Sequence, residues 1–355
     1  MHTPPLRWCA SRRSARLPAN HPTTEVRMRL IGLAVVLTFG LTIAPLTAEA
    51  QQAGKVYRVG HLAAGGRTSD GAPPGPLREA LRELGYLEGQ NIAYEARFAE
   101  GAVERLPGLA AELVGLKVNV IVAQGGAATE AARHATSTIP ILMAVAAGDA
   151  VQRGWIASLA HPGGNITGLT DETVQLSAKR LQLLKEAVPQ AALIAILWNA
   201  ADPGMTLRYR EIEKAAHTLK VEVQALGVRE PTDFAAAFSA MTRRRPGALF
   251  LVADVLTSMN RKRVVEFAAV QRIPAMYEFG FIVRDGGLMS YGPSDDDGFR
   301  ETARYIDRIV KGAKPADLPA MQPTRYYLAV NLKTATTLGL TIPPSLLLRM
   351  DDVFQ

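Results

Sequence analysis

The sequence predicts an α/β protein made of two similar lobes, each built on a parallel sheet. Short apolar runs alternate with amphipathic segments along the chain after residue 55, a pattern typical of parallel strands joined by right-handed helical crossovers. These runs are more numerous than one compact sheet usually carries. The length of 355 residues, with 48% hydrophobic and 21% charged residues, suits a globular protein of two ordinary domains.

The stretch Ile139–Thr170 is central to this prediction. Ile139–Val145 is a short apolar run that predicts a buried parallel strand, and a small glycine-containing turn follows it. Gly154–Ala160 is predicted to be helical and to end at the break His161–Asn165, before a further strand at Ile166–Leu169. Open α/β sheets bind ligands where a strand ends in such a turn. We therefore expect one wall of a ligand cleft and the first strand of a hinge here.

The rest of the first half alternates strands with helices. Its helical segments are amphipathic, and Leu77–Leu84 is followed by Gly85, the residue type preferred just after a helix. The predicted strands are Val56–Leu62, Asn91–Phe98 and Val118–Ala123, and the predicted helices are Leu77–Leu84, Leu106–Leu116 and Ala127–Ala135.

The second half repeats the same alternation. Thr232 is a candidate N-cap for the helix that follows it. The predicted strands are Ala192–Trp198, Val221–Leu226, Ala248–Ala253, Pro274–Tyr277 and Leu288–Tyr291. The predicted helices are Ser177–Val188, Arg208–Leu219, Asp233–Met241, Arg261–Val270 and Phe299–Val310.

Residues 28–50 are predicted to be a secretory signal peptide. A basic start precedes the apolar run Leu30–Leu46, and small residues then fit a cleavage site between Ala50 and Gln51. A membrane anchor is the alternative interpretation. The run is shorter than the about 20 apolar residues that span a bilayer, which favours cleavage.

The segment 1–27 is rich in proline and arginine and lacks periodicity, so we interpret it as a mis-called N-terminal extension. The chain's single cysteine, Cys9, lies within it. The part predicted to be exported therefore contains neither a disulfide nor a lipid-anchoring cysteine. A periplasmic protein is the simplest interpretation.

The charge pattern disfavours nucleic-acid binding. The formal net charge is +7, but residues 1–50 hold six basic and two acidic residues. The remaining chain has 34 basic and 31 acidic residues, a net charge of +3. Its basic runs, Arg243–Arg245 and Arg261–Arg263, are short and lack interleaved aromatic residues, so a solvated surface explains them better.

Sequence signatures of enzymes are mostly missing. Neither a dinucleotide-binding glycine motif nor a phosphate-binding loop occurs. Gly287–Gly292 resembles a nucleophile elbow around Ser290, but its spacing is one residue too long. The histidines lack metal-binding spacing, and Asp295–Asp297 is predicted to cap the following helix. We therefore predict no catalytic residues, no cofactor and no metal.

Candidate ligand-binding residues recur at the carboxyl ends of the predicted strands. In two facing α/β lobes these ends line the cleft. Backbone N–H groups of the glycine-rich turns could receive a carboxylate, Asp149, Asp254 or Glu278 an ammonium group, and the tyrosines could cover an apolar moiety. Helix capping is the alternative role for Asn199 and Asp254. The full set is Ala64, Gly65, Gln124, Gly125, Gly126, Ala147, Gly148, Asp149, Asn199, Asp254, Tyr277, Glu278 and Tyr291.

Several motifs taken together resemble one large bacterial family. They are Lys55–Gly60, Leu81–Tyr86, Glu88–Ile92, Leu159–Leu169, Lys179–Leu181, Leu197–Asn199, Gly286–Pro293, Lys311–Pro319 and Asn331–Ala335. From Lys55 onward the sequence resembles ABC transporter substrate-binding proteins of the tryptophan or aromatic amino-acid type. Two segments depart from the usual pattern: a proline commonly follows the position of Asp149, and a small serine or threonine is common at Ala123–Gly126.

The resemblance implies a type I periplasmic-binding-protein fold, with two Rossmann-like lobes joined by three hinge crossings. The crossings are expected near Asn165–Thr170, Leu288–Pro293 and Gln322–Tyr327, with the helix Phe299–Val310 returning to the first lobe. The expected domain organisation is 55–165 plus 294–321 for lobe 1 and 170–290 plus 325–355 for lobe 2.

The function implied is that of a monomeric periplasmic receptor. It would capture a small solute, such as an amino acid, and present it to an inner-membrane permease and its ATPase. A ligand-sensing module for a partner protein is one alternative. An enzyme on the same scaffold is another, because a fold alone does not fix function.

Overall fold

The computed structural model describes residues 55–144, 150–170 and 173–354. The predicted signal peptide and three candidate site residues, Ala147, Gly148 and Asp149, lie outside the described residues. The chain from Val56 onward forms a unit of its own that contains both sheets.

The first sheet has five parallel strands in the order β2-β1-β3-β4-β5. Its strands are β1 (Tyr57–Ala63), β2 (Ile92–Phe98), β3 (Val120–Gln124), β4 (Ile141–Ala144) and β5 (Ile166–Gly168), and its connecting helices are α1 (Gly75–Glu83), α2 (Leu106–Gly115) and α3 (Gly126–Ala135). The central strands are apolar on both faces, which is expected of a parallel sheet covered by helices on each side. Leu62 and Ile121 pack towards α2 and α3, whereas Val59 and Val122 pack towards α1.

The second sheet has seven strands in the order β12-β11-β10-β9-β8-β6-β7, and only the β10–β11 pair is antiparallel. Its strands are β6 (Leu193–Asn199), β7 (Glu222–Val228), β8 (Ala248–Leu251), β9 (Ala275–Tyr277), β10 (Met289–Gly292), β11 (Tyr327–Asn331) and β12 (Asp352–Phe354). Its helices are α4 (Thr173–Ala187), α5 (Pro203–Thr218), α6 (Asp233–Arg244), α7 (Val255–Met259), α8 (Arg261–Gln271), α9 (Gly280–Arg284), α11 (Leu332–Thr337) and α12 (Pro344–Leu347).

One further helix, α10 (Asp295–Val310), follows β10 in the chain but packs against the first sheet. Phe299 and Ile306 lie in the same core cluster as Leu77 and Leu81 of α1. The Tyr86 hydroxyl, just beyond the end of α1, donates to Asp307 Oδ1 at 2.8 Å. The helix α1 starts at the carboxyl edge of the first sheet and runs away from it. Since the contact between Tyr86 and Asp307 lies near the C-termini of both α1 and α10, the start of α10 lies towards the carboxyl edge.

Two connections between the sheets run side by side. Leu169 forms a parallel bridge with Met321, and Thr170 N–H donates to the Met321 carbonyl at 2.9 Å. A third connection, the segment 293–294, carries the chain from β10 into α10. The architecture of two mostly parallel α/β sheets agrees with the fold class that the sequence predicts.

The prediction of a helix at Gly154–Ala160 is wrong, because this segment is a series of turns. Gly154 has φ +68°, and Trp155 N–H bonds back to the Ala150 carbonyl at 3.0 Å. Trp155 and Ile156 are buried in the first core. The apolar residues that suggested an amphipathic helix therefore anchor a loop.

One capping prediction needs correction, and a second is confirmed for the position alone. Ser294 is the N-cap of α10, and its Oγ accepts the N–H of Asp297 at 3.2 Å, so Asp295–Asp297 form the first turn. Thr232 occupies the N-cap position of α6 but makes no capping hydrogen bond. The carboxylates of Asp296 and Asp297 still lie at the positive end of the α10 dipole. None of the helices in the described part of the chain is long and apolar enough to cross a membrane.

Candidate functional site

The carboxyl edge of the first sheet carries an uncapped helix N-terminus. Gly125 is the N-cap residue of α3, with φ +85° and ψ 168°, and among the described residues no side chain caps this end. The positive φ favours glycine, because an L side chain rarely adopts it. The first-turn N–H groups, beginning at Gly126, lie at the positive end of a ten-residue helix. This end suits a carboxylate.

Gln124 lies directly before that helix and is half-buried at the end of β3. Its Oε1 is 3.2 Å from Nε2 of His61, a residue fully buried in β1. Burial lowers the pKa of His61 to about 4, although the contact with Gln124 opposes this shift. The imidazole is therefore neutral at pH 7. Ala64 and Gly65 follow the end of β1 at the same edge, with Ala64 buried and Gly65 half-buried.

The second sheet's edge brings Asn199 and Asp254 together. Asn199 Nδ2 donates to Asp254 Oδ2 at 2.6 Å. The other carboxylate oxygen, Oδ1, accepts the N–H of Thr257 at 2.9 Å within a capping box at the start of α7. Asp254 therefore has the capping role that the sequence left open, and Asn199 contacts it rather than capping a helix.

Tyr277 and Glu278 lie beneath this edge, since each is only 1% exposed. Glu278 forms ion pairs with Arg208 and, at 3.4 Å, with Nη1 of Arg180. Its Oε1 also accepts the N–H of Ala253 at 3.2 Å. Burial alone would raise the pKa of Glu278, but the charges of Arg180 and Arg208 hold it below its usual value. This carboxylate is engaged by buried arginines in the described conformation.

Tyr291 is half-buried at the end of β10, where the chain leaves the second sheet. Its ring centroid lies 6.0 Å from that of Tyr326, at an interplanar angle of 40°. Arg180 Nε donates to the Tyr291 carbonyl at 2.6 Å, which ties this crossing to the buried ion pairs. Two aromatic rings therefore lie beside two of the connections between the sheets.

The two edges touch at Met259, in the last turn of α7. A Cβ added to Gly66 would lie 3.7 Å from Met259 Sδ, and one added to Gly101 would lie 3.6 Å from Met259 Cγ. Val255 of the same helix packs against the core of the first sheet. The described structure is thus closed at this point.

Sequence reasoning missed His61, Arg180, Arg208, Met259 and Tyr326. Only the histidine carried a signal, because a histidine within the apolar strand Tyr57–Ala63 must find a polar partner. The two arginines lie on helices far along the chain from Glu278, so no local pattern reveals their pairing. In the described part of the chain, no group of three or more His, Cys, Asp or Glu side chains is placed to hold a metal ion.

Comparison with known proteins gives consistent results. A curated tyrosine-binding protein of Clostridioides difficile (strain R20291) is 25% identical over 263 residues, covering 74% of this chain and 75% of the relative. A Streptococcus pneumoniae ABC domain solved in complex with L-Trp superposes with a TM-score of 0.76 at 24% identity, covering 84% of this chain and all of that one.

A conserved domain protein from Vibrio cholerae O1 biovar eltor gives a TM-score of 0.75 at 24% identity, with the same coverage. The family model for ABC transporter substrate binding proteins matches residues 72–354. This chain therefore belongs to the ABC transporter substrate-binding protein family, whose members capture small solutes for import.

Proposed function

We propose that this chain is the receptor of an importer for an aromatic L-amino acid. The uncapped N-terminus of α3 carries the proposal, since its N–H groups are suited to the α-carboxylate of an amino acid. In this proposal Asn199 and Asp254, at the edge of the other sheet, form the opposite wall, where the half-buried Asp254 is suited to the ammonium group. The tyrosine-binding and L-Trp-bound relatives support an aromatic side chain.

The aromatic side chain would contact Tyr291 and Tyr326 beside the hinge connections. Aromatic rings favour offset or edge-on contact with one another, worth about 0.5–1.5 kcal/mol beyond the area they bury. We assign Ala64, Gly65 and Gln124–Gly126 to the first wall and Asn199, Asp254 and Tyr291 to the second. Ala147, Gly148 and Asp149 join the first wall in this proposal, whereas Tyr277 and Glu278 support the second wall from beneath.

The proposed working cycle is a shift between open and closed forms without covalent chemistry. A ligand that contacts both walls stabilises the closed form by its differential affinity for that form. The proposed lobes are 55–165 with 294–321 and 170–290 with 325–355. A monomer of this protein would present the closed form to a permease and ATPase of the inner membrane.

Proteins of this family act outside the cytoplasm. We propose export by the signal peptide 28–50, with cleavage between Ala50 and Gln51 and release into the periplasm. N-terminal sequencing of the protein from a periplasmic extract tests the cleavage site. An N-terminus retained within residues 28–50 would contradict it and favour membrane anchoring.

Isothermal titration of the protein from residue 51 onward against the twenty L-amino acids tests the function. We expect L-tryptophan or L-tyrosine to bind most tightly, and small-angle scattering to show a smaller radius of gyration with that ligand. An Asp254→Asn variant should bind more weakly, because it retains the cap but loses the charge that pairs with the ammonium group. Absence of binding by every amino acid would contradict the proposal.

A further inference from the structure

His61 is a buried polar residue that the ligand assignment does not use. It lies in the middle of β1, paired with Val122 of β3, and is 0% exposed. The ring of Phe98 packs against it with centroids 5.5 Å apart. Within the described residues, its only hydrogen-bond partner is Gln124, and its Nδ1 is buried without one.

The contact with Gln124 determines which imidazole nitrogen carries the proton. A neutral imidazole has one N–H donor and one acceptor nitrogen. Gln124 Oε1 can only accept, so Nε2 must be the donor in the 3.2 Å contact. Nδ1 is then the unprotonated nitrogen, which leaves no N–H group buried without an acceptor.

This hydrogen bond also fixes the orientation of the Gln124 amide. With Oε1 held by His61, the two N–H groups of the amide must point away from the imidazole. Among the described residues, the contact with His61 is the one hydrogen bond of the Gln124 side chain. Gln124 is the last residue of β3, and α3 begins two residues later, so the amide and the first N–H groups of α3 both lie at the carboxyl edge of the first sheet.

We propose that His61 is a positioning residue of the ligand cleft, which turns the Gln124 amide so that it donates to the carboxylate of a bound amino acid. This inference rests on the proposed function. It assigns a purpose to a buried histidine in a strand that is otherwise apolar at its core. Since His61 does not reach the ligand, its effect must pass through Gln124.

A double-mutant cycle read by isothermal titration at pH 7 with L-tryptophan and L-tyrosine tests the role. His61→Leu should weaken binding about fivefold to tenfold, the size of one lost hydrogen bond. His61→Gln, whose Nε2 can replace the histidine donor, should restore binding to within about twofold. In a Gln124→Leu background, His61→Leu should have no further effect, because the amide to be positioned is gone.

His217→Leu on the exposed face of α5 is the matched control and should leave affinity unchanged. Circular dichroism of each variant checks folding. Nitrogen-15 NMR of the unmutated protein provides a readout that needs no functional variant, since it distinguishes the expected Nε2–H tautomer from the Nδ1–H form. The His61→Gln variant assigns the resonance.

The results of these experiments distinguish failure of the proposed function from failure of the proposed role of His61. If the unmutated protein binds neither amino acid, the proposed function fails. If the protein binds but His61→Leu has no effect on affinity, the inference is overturned. It is also overturned if His61→Leu weakens binding as much in the Gln124→Leu background as in the unmutated protein, because His61 then does not act through the amide. An Nδ1–H tautomer would overturn it as well.

Discussion

At the residue scale, Glu278 carries a buried negative charge beneath the edge of the second sheet. It is 1% exposed and shared by two buried guanidinium groups. We expect Glu278→Gln to lower the free energy of unfolding by about 3–5 kcal/mol, because it removes the negative charge from a buried ion-pair network. Urea denaturation followed by circular dichroism measures this.

The exposed pair of Glu222 with Arg244 supplies the control for that measurement. Glu222→Gln makes the same chemical change at the surface and should cost less than about 1 kcal/mol. Similar losses for both variants would show that burial does not determine the contribution of Glu278.

Asp295 makes stability dependent on pH. Burial raises the pKa of its carboxyl to about 7, with a further increase from Asp296 and an opposing effect of Arg284. A pKa raised above the unfolded value means that the folded state binds this proton more tightly. The contribution is therefore fully present below about pH 4 and is lost as pH rises towards 7.

We accordingly expect Asp295→Asn to gain thermal stability relative to the unmutated protein as pH rises from 4 to 7, with a constant difference above that range. Melting temperatures at intervals from pH 4 to pH 8 measure it. Asp352→Asn on the exposed strand β12 is the control. A difference in melting temperature between the two proteins that stays constant from pH 4 to pH 8 would contradict the raised pKa of Asp295.

At the element scale, the close approach of β5 to β4 depends on Gly168. Its φ is +117°, and an added Cβ would lie 2.4 Å from the Met143 carbonyl oxygen. We expect Gly168→Ala to cost about 3 kcal/mol or more, because a backbone atom cannot move aside as a flexible side chain can. Gly164→Ala, with no atom within 4 Å of the added Cβ, should leave the denaturation midpoint nearly unchanged. An equal shift for both would exclude the proposed clash.

The elements also show what local sequence can reveal. The continuous apolar runs of β3, β6 and β8 predict buried parallel strands because both of their faces are covered. The helix predicted at Gly154–Ala160 is wrong because buried apolar residues of a loop can have the same spacing as those of an amphipathic helix. β12 was missed as a strand because it is three residues long with two of them exposed, and β11 was missed although it is a mostly buried apolar run. The uncapped start of α3 follows from Gly125–Gly126, whereas the arginine partners of Glu278 require tertiary structure.

At the scale of the whole molecule, closure depends on contacts between the two sheets' edges. Met259 is the clearest of these, because it is 42% exposed yet lies against Gly66 and Gly101 of the other edge. Its contact exists only while the edges meet, so it stabilises the closed form and not either core. A side chain of this kind affects the balance between conformations more than the free energy of unfolding.

We therefore expect Met259→Ser to shift the protein towards the open form while its melting temperature stays within about 2 °C of the original, as for other surface substitutions. Losing the partial burial of one methionine, worth at most about 1 kcal/mol, reduces the closed-to-open ratio by up to about fivefold. Scattering at subsaturating ligand should then report a larger radius of gyration, and titration a weaker affinity.

Leu348→Ser, at a side chain that is 89% exposed, is the control and should change neither quantity. If Met259→Ser lowers the melting temperature but leaves the radius of gyration and affinity intact, the side chain supports its own lobe and closure must rely on other contacts.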